Sequence, residues 1–254
     1  MDKNLAEKIW HVVMPVLQII KLHRGRPQHN PKKAFLGILY VLENGIKWSC
    51  LPRYYGAKST VHGKYMKWVL AGLIQKAFEA IRALYLANSS AFNNWYATDT
   101  SSCKAPYANF SGKNPTDRAK RGLKKNILCD SRGAPLVLTV APANRHDSKT
   151  LLELLDLAKA IKPNMLVIVA ADSAYDSSKL KKAAADRGFV IHAATNKRRR
   201  NDSTIIRPKG RWIVEGCHSW LNNFRAVKTC FAKTSQSFLG FVLLAATVRL
   251  FQMI

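Results

Sequence analysis

The run Asn94-Trp95-Tyr96-Ala97-Thr98-Asp99-Thr100-Ser101-Ser102-Cys103 constrains this chain more than any other stretch. Its aromatic, small and β-branched residues cover too few positions for a helix and are too apolar for a loop, which predicts a buried strand. The strand is expected to stop at Asp99 and to leave that carboxylate where a sheet opens to solvent. In open α/β sheets such strand ends face the crevice in which ligands and metals are held. An Asp that only closes the strand through an Asx-turn is the competing reading. The rest of the chain weighs between the two.

At 254 residues, with 48% hydrophobic residues, the chain is long and apolar enough to bury one large core or two small ones. The 41 Lys and Arg against 15 Asp and Glu give a net charge of +26, far beyond what solubility asks of a domain. Such an excess implies a polyanionic partner. The basic residues are spread over the whole chain and do not line one amphipathic helix, so nucleic acid is favoured over a membrane surface. The five cysteines, Cys50, Cys103, Cys129, Cys217 and Cys230, show neither a CxxC nor a Cys/His ligand spacing. Free thiols in a reducing cytosol are expected. The apolar segment Ile9 to Ile20 carries His11 and Pro15 and lacks the flanks of a signal peptide. The last segment, Phe238 to Ile254, holds Arg249 and Gln252 and is read as a buried terminal helix, too short for a membrane span.

Residues 1–88 read as helices only. Asn30-Pro31 supplies an N-cap and an N1 proline, Phe35, Ile38, Leu39 and Leu42 follow at helical spacing, and Gly45 ends the helix. Ser59 is expected to cap the next helix, Gly72 to end it, and Leu73, Ala77, Ile81 and Leu84 to continue the period. With 14 basic and 4 acidic residues among the first 90, this bundle is basic in its own right and resembles a helix-turn-helix DNA reader. Asn88-Ser89-Ser90 is the expected linker, and a second domain over 92–254 follows. There Asn126 to Asp130 and Pro135 to Val140 are strands joined by a turn with Gly133. A Leu-rich helix over 148–161 leads to an apolar strand that finishes on Asp172, a second strand-end carboxylate. A strand-helix-strand crossover is right-handed and parallel, so Asp99 and Asp172 are expected at one edge of neighbouring strands. Asp147 is read as the N-cap of the Leu-rich helix, and Asp176 as the cap of a further helix that ends at Gly188 before a fifth strand, Phe189 to Ala193. Lys197-Arg198-Arg199-Arg200 is a charged loop. From Arg211 to Phe224 a helix is expected to dock Ile213, Cys217, Trp220 and Phe224 on the core, turning Arg211, Glu215 and His218 toward a crevice.

The order strand-Asp, two antiparallel strands, helix, strand-Asp, helix, strand and a late helix with Glu resembles the ribonuclease H-like core of the DDE transposases. The words agree. Asn114-Pro115-Thr116-Asp117-Arg118, Pro142-Ala143-Asn144-Arg145-His146-Asp147, Ala171-Asp172-Ser173-Ala174-Tyr175-Asp176 and Arg211-Trp212-Ile213-Val214-Glu215 resemble the insertion-sequence transposases of the fourth and fifth families, the fifth more closely. Gly25-Arg26-Pro27, Asn44-Gly45-Ile46-Lys47-Trp48 and Leu51-Pro52 extend the resemblance over nearly the whole chain.

The resemblance implies an α/β fold: a ribonuclease H-like mixed five-stranded sheet with flanking helices, preceded by a small all-α helix-turn-helix-like domain. It implies Asp99, Asp172 and Glu215 as a triad for Mg²⁺, with Mn²⁺ as a substitute, and a two-metal cleavage and strand-transfer chemistry. Double-stranded DNA is the implied partner, a homodimer or higher oligomer on DNA the implied assembly, and the bacterial cytoplasm and nucleoid the implied location. Arg118, Arg145, Lys197, Arg198, Arg199, Arg200, Arg211, His218, Arg225 and Lys228 are the expected DNA contacts. Pro208 and Asn222 stand where the family's helix motif has Tyr and Lys, and Gly216 and Asn223 where relatives tend to carry Arg; Arg225 and Lys228 are expected to supply the missing charge. Only 43 positions separate Asp172 from Glu215, too few for the large inserted domain of some hairpin-making relatives. A non-catalytic DNA-binding regulator or decayed remnant, and a nuclease without strand transfer, are the rival functions.

Overall fold

A computed structural model describes residues 2–17, 29–88, 94–161, 166–194 and 210–254. The chain divides into two compact units: Met1–Ser90, Tyr107–Asn109 and Leu221–Ile254 form one, Ala91–Pro106 and Phe110–Trp220 the other.

The first unit is helical: α1 (Lys3–Leu17), α2 (Pro31–Asn44), α3 (Lys58–Leu70), α4 (Leu73–Asn88), the single turn α8 (Arg225–Lys228) and α9 (Ser235–Gln252). The start of α2 follows from its capping chemistry. The Asn30 carboxamide oxygen accepts from the N–H groups of Lys32 and Lys33 at 2.9 and 3.2 Å, and Pro31 sits where no N–H is needed. Gly45 ends the helix at φ 61° and donates its N–H to the Val41 carbonyl, a left-handed C-cap that favours glycine. The expected Ser59 cap is displaced: α3 begins at Lys58 after Ala57, which makes no side-chain cap bond. Ile9, Trp10, Phe35, Ile38, Trp68, Phe78 and Ile81 are among the buried residues of this core.

Helix α9, which the sequence places in the second domain, packs against α4, α3, α2 and α8. Its buried residues lie all round it, Phe238, Val242, Leu243, Ala245, Ala246 and Leu250 among them, and such a helix needs neighbours on every side. The Tyr65 hydroxyl donates to the Ser237 carbonyl, Tyr65 stacks on Phe241 with ring centroids 4.7 Å apart, and Gly240 lies against Tyr65 and Val69 with no room for a Cβ. Among the described residues no helix is long and apolar enough to cross a membrane.

The second unit is a mixed sheet with helices. Its strands are β1 (Trp95–Lys104), β2 (Gly112–Lys113), β3 (Arg121–Asp130), β4 (Pro135–Pro142), β5 (Val167–Ala171) and β6 (Phe189–Ala193); α5 (Asp147–Lys159), α6 (Ser178–Ala185) and α7 (Trp212–Leu221) accompany them. The order is β2-β3-β1-β5-β6, with β4 also on β3. Strands β1, β3 and β4 pair antiparallel, while β1, β5 and β6 run parallel. Helix α5 lies on β3 and β4, and α6 on β6. This is a mixed sheet with flanking helices, preceded by helical elements, and it is consistent with a ribonuclease H-like fold.

Several expectations are corrected here. Among the described residues the sheet has six strands, because Gly112–Lys113 pairs with β3 and because β3 starts at Arg121, five residues before the apolar run that announced it. Strand β1 does not stop at Asp99 but runs on to Lys104, held by antiparallel pairing to β3. What ends near Asp99 is the parallel pairing to β5, whose last rung is Ala97 opposite Ala170. His146, not Asp147, caps α5, accepting from the Ser148 N–H through Nδ1 at 3.2 Å. Ser177 occupies the cap position of α6 that Asp176 was expected to hold.

Candidate active site

The parallel register positions the first two carboxylates. Asp99 and Asp172 each lie two residues beyond the rung that pairs Ala97 with Ala170, so they leave neighbouring strands at the same edge. Asp172 begins a 3₁₀ turn, Ser173–Tyr175, and its Oδ1 accepts from the Ala174 N–H at 3.2 Å. Glu215 comes from α7. Burial holds the Asp99 carboxyl above its usual range, opposed by a bond from the Thr100 backbone N–H and by the Arg211 guanidinium, and raised further by the charges of Asp172 and Glu215. Three acids and one guanidinium therefore share one electrostatic neighbourhood. Arg211 also binds Glu215 directly, Nη2 to Oε1 at 3.0 Å, one helical turn apart. Among the described residues, no three His, Cys, Asp or Glu side chains come together as a ready metal-binding group.

Helix α7 is rotated from its expected setting. Val214, Cys217, His218 and Leu221 are its buried residues, while Trp212, Glu215, Gly216 and Ser219 are exposed and Ile213 and Trp220 lie between. Both stripes satisfy a helical period, and Val214 and Leu221 fill the core in place of Ile213 and Trp220. The rotation carries His218 inward: it is 5% exposed, so it is not the DNA-facing side chain the sequence suggested. Its Nε2 lies 3.2 Å from the Asp99 carbonyl oxygen and donates to it, which leaves the buried Nδ1 without a partner. Burial, with a bond to Asp99 opposing and the Lys125 charge assisting, brings its pKa down to about 4, so the ring is neutral at physiological pH.

Further residues brace the site, and the sequence did not single them out. Lys125 on β3, opposite Ser101, is fully buried, and burial lowers its pKa. The free thiols of Cys129 on β3 and Cys217 on α7 are both buried, and the neighbouring Cys217 thiol together with burial pushes the Cys129 pKa up. Thr100 donates through Oγ1 to Asn126 Oδ1 at 2.9 Å, and Asn126 Nδ2 donates to Thr139 Oγ1 at 3.2 Å. With the Thr100 proton so engaged, the Tyr175 hydroxyl donates to Thr100 Oγ1 across 3.1 Å. Tyr175 is buried, which raises its pKa. This chain of hydroxyls and amide ties the turn after Asp172 to β1 beside Asp99. Tyr175 stands three residues after Asp172 in the sequence, and that spacing was the one available signal.

Three other acids at strand and helix ends, Asp130, Asp147 and Asp176, are engaged elsewhere. Asp130, opposite Tyr96, accepts from the N–H groups of Arg132 and Ala134 at 2.9 Å each and shapes the β3–β4 turn. Asp147 binds Lys124 at 2.7 Å, and Asp176 binds Lys181 at 2.6 Å. Of the expected DNA contacts, Arg118 is exposed on a built loop. Asn114 accepts from Thr116 through its side chain and from the Ala119 N–H through its carbonyl, and Arg118 and Ala119 adopt φ of 49° and 56°. Such left-handed values are costly for residues with a Cβ and persist where the surroundings impose them. Arg145 is paired with Glu153 and Arg211 with Glu215, while Arg225 and Lys228 are exposed on α8 of the helical unit. Lys197, Arg198, Arg199 and Arg200, and Pro208, lie outside the described residues.

Comparison with known proteins places these features. Residues 96–251 match the family described as the transposase DDE domain, and residues 5–78 match the putative transposase of the IS4/5 family. A putative transposase for insertion sequence element IS402 of Burkholderia cepacia is 36% identical over 129 residues, 48% of this chain and 60% of that protein. The chain thus spans three fifths of that relative's length. An uncharacterized 16.2 kDa protein of the same insertion element and organism is 30% identical over 107 residues, 40% of this chain and 73% of its own. Among solved structures, a piggyBac transposase synaptic complex with hairpin DNA is 11% identical with a TM-score of 0.45, covering 98% of this chain and 72% of its own.

Proposed function

Because the chain belongs to the transposase DDE domain family, we propose that it cuts DNA at the ends of an insertion sequence and joins the freed 3′-hydroxyls to target DNA. Asp99, Asp172 and Glu215 are the catalytic carboxylates in this reading. One observation carries it: the register sets Asp99 and Asp172 at one sheet edge, and the charges of Asp172 and Glu215 both raise the Asp99 pKa.

A divalent cation fits the donor set. Carboxylate oxygens are the ligands a hard cation prefers, and the charges of Asp172 and Glu215 reach Asp99 and raise its pKa, a repulsion that a cation relieves by drawing together three acids that do not yet converge. Bound there, Mg²⁺ or Mn²⁺ would supply Lewis-acid polarisation of the phosphoryl group and a lowered pKa for an attacking water or 3′-hydroxyl. The chain's own residues do the rest. Arg211 pairs with Glu215 one helical turn away on α7 and offsets its charge. Tyr175, Thr100 and Asn126 hold the Asp172 turn against β1, so the two Asp backbones do not drift apart. His218, neutral and donating to the Asp99 carbonyl, packs α7 against β1 beside the acid. The basic helical unit is the proposed reader of the element ends, and a dimer or higher oligomer the proposed form that brings two ends together.

The Arg211–Glu215 pair, and the lack of a ready three-ligand group among the described residues, favour one second reading: a DNA-binding remnant without catalysis. Cleavage of end-bearing DNA by the wild type and by Asp99→Asn, Asp172→Asn and Glu215→Gln, each with Mg²⁺ and with chelator, decides between them. The expected result is metal-dependent cutting by the wild type and its loss in all three variants at unchanged DNA affinity. Wild-type cutting by one variant removes that residue from the triad, and a wild type that binds DNA but never cuts favours the remnant.

A further inference from the structure

Tyr107 and Phe231 form a pair of aromatic rings in the helical unit, with centroids 6.4 Å apart and planes 33° apart. They are 66% and 57% exposed. Single exposed apolar side chains are ordinary, but two large rings that meet and both stay open to water are less so. Their support is firm. The Asn109 N–H donates to the Lys233 carbonyl at 3.3 Å, and Ala108 and Cys230, the neighbours of the two rings, are wholly buried. The segments that carry the rings are also free of acids: no Asp or Glu occurs from Thr100 to Thr116, and none follows Glu215. Lys228 and Lys233 flank Phe231 and are exposed.

We propose that Tyr107 and Phe231 are a stacking platform for an unpaired base of a DNA strand, with Lys228 and Lys233 holding the adjoining phosphates. The occupant follows from charge and shape together. Segments that carry exposed lysines and no acid of their own favour a polyanion over the face of another protein, and exposed rings add to a polyanion's phosphates the one contact that every base offers, its π face. A duplex hides those faces in its own stack, so the platform fits a strand that is single or locally opened. The proposal rests on the transposase reading only in taking DNA as the ligand; it needs neither metal nor cutting.

The test uses the full chain in chelator, with a labelled single-stranded oligonucleotide and a duplex of the same length. Replacing both rings, Tyr107→Ala with Phe231→Ala, is expected to weaken single-strand binding by at least about tenfold, since base stacking on aromatic side chains is a large part of such affinity. Duplex affinity and its salt dependence are expected to stay as in the wild type. Phe231→Trp is expected to keep single-strand affinity, and its indole emission to be quenched by the oligonucleotide. Equal loss on both DNAs, or no loss on either, overturns the proposal. So does a double variant that binds both DNAs normally but sediments as a smaller species, which would make the pair a contact between copies of the chain. A wild type that binds both DNAs but does not cut with Mg²⁺ sinks the catalytic reading and leaves the expected ring effect in place.

Discussion

Asp99 carries the electrostatic cost of the site in its own titration. Burial and the charges of Asp172 and Glu215 raise its pKa above the ordinary 3.8, against the Thr100 N–H and the Arg211 guanidinium. A carboxyl with a raised native pKa binds its proton more tightly folded than unfolded. Its contribution to stability is complete below the unfolded value and is lost as pH rises through the native one. Asparagine keeps the neutral shape at every pH. Asp99→Asn is therefore expected to melt at a higher temperature than the wild type at pH 7 in chelator, with the gap closing as pH falls below the ordinary carboxylate value. Thermal melts across that range check it, and a wild type at least as stable as the variant at pH 7 counts against the crowded-carboxylate account. Added Mg²⁺ is expected to narrow the gap, because a cation that binds only the folded wild type stabilises it by mass action.

Among the elements, α7 shows how far periodicity reaches. The helix, its extent to within a turn and Glu215 on it were legible, yet its rotation was not, because Ile213/Cys217/Trp220 and Val214/Cys217/Leu221 are equally good apolar stripes and only the shape of the sheet selects one. The start of β3 was hidden because the apolar run begins only at Asn126, whereas the strand also takes in Lys124, which turns to Asp147, and Lys125, which is buried. Caps written in local chemistry, such as Asn30-Pro31 and Gly45, were legible to the residue. The shared edge of Asp99 and Asp172 was legible too, from the handedness of one crossover, although the acid lies within β1 and not at its end. Two glycines test the helix packing with opposite signs. Gly216 in α7 has nothing within 4 Å of a built Cβ, so Gly216→Ala is expected to stabilise the protein by roughly 0.5–1 kcal/mol through helix propensity. A Cβ on Gly240 in α9 meets the Tyr65 hydroxyl at 2.7 Å and Val69 Cγ2 at 2.9 Å, and that hydroxyl is fixed by its bond to the Ser237 carbonyl. Gly240→Ala is expected to cost about 1–3 kcal/mol by overpacking. Urea titrations of both variants measure this, and a stabilised Gly240→Ala would refute the close approach of α3 and α9.

At the scale of the whole molecule the charge and the chain path each make a demand. A net charge of +26 is expected to show in binding to DNA as a steep salt dependence, the log-log slope growing by roughly 0.9 for each duplex phosphate neutralised. Titrations at several salt concentrations measure it, and a slope near zero would remove nucleic acid as the partner. The chain path is the stricter constraint. The helical unit is assembled from both ends of the sequence: α1 to α4 come before the sheet and α8 and α9 after it. Change of period placed a boundary near residue 88, but period reports only local structure and cannot say which earlier residues a late helix will bury. Phe238, Val242, Ala245, Ala246 and Leu250 are all within the core, and α4 and α3 supply much of the wall around them. Burial of a large apolar side chain contributes about 1.5–3 kcal/mol, so losing α9 removes several such terms from a fold whose total margin is typically about 5–15 kcal/mol. A fragment of residues 1–90 is therefore expected to keep some helix by circular dichroism yet to lack a cooperative urea transition, while the full chain shows one. Cooperative unfolding of the fragment at the urea midpoint of the full chain would mean that α1 to α4 are a domain without α9, and that α9 is only lodged there.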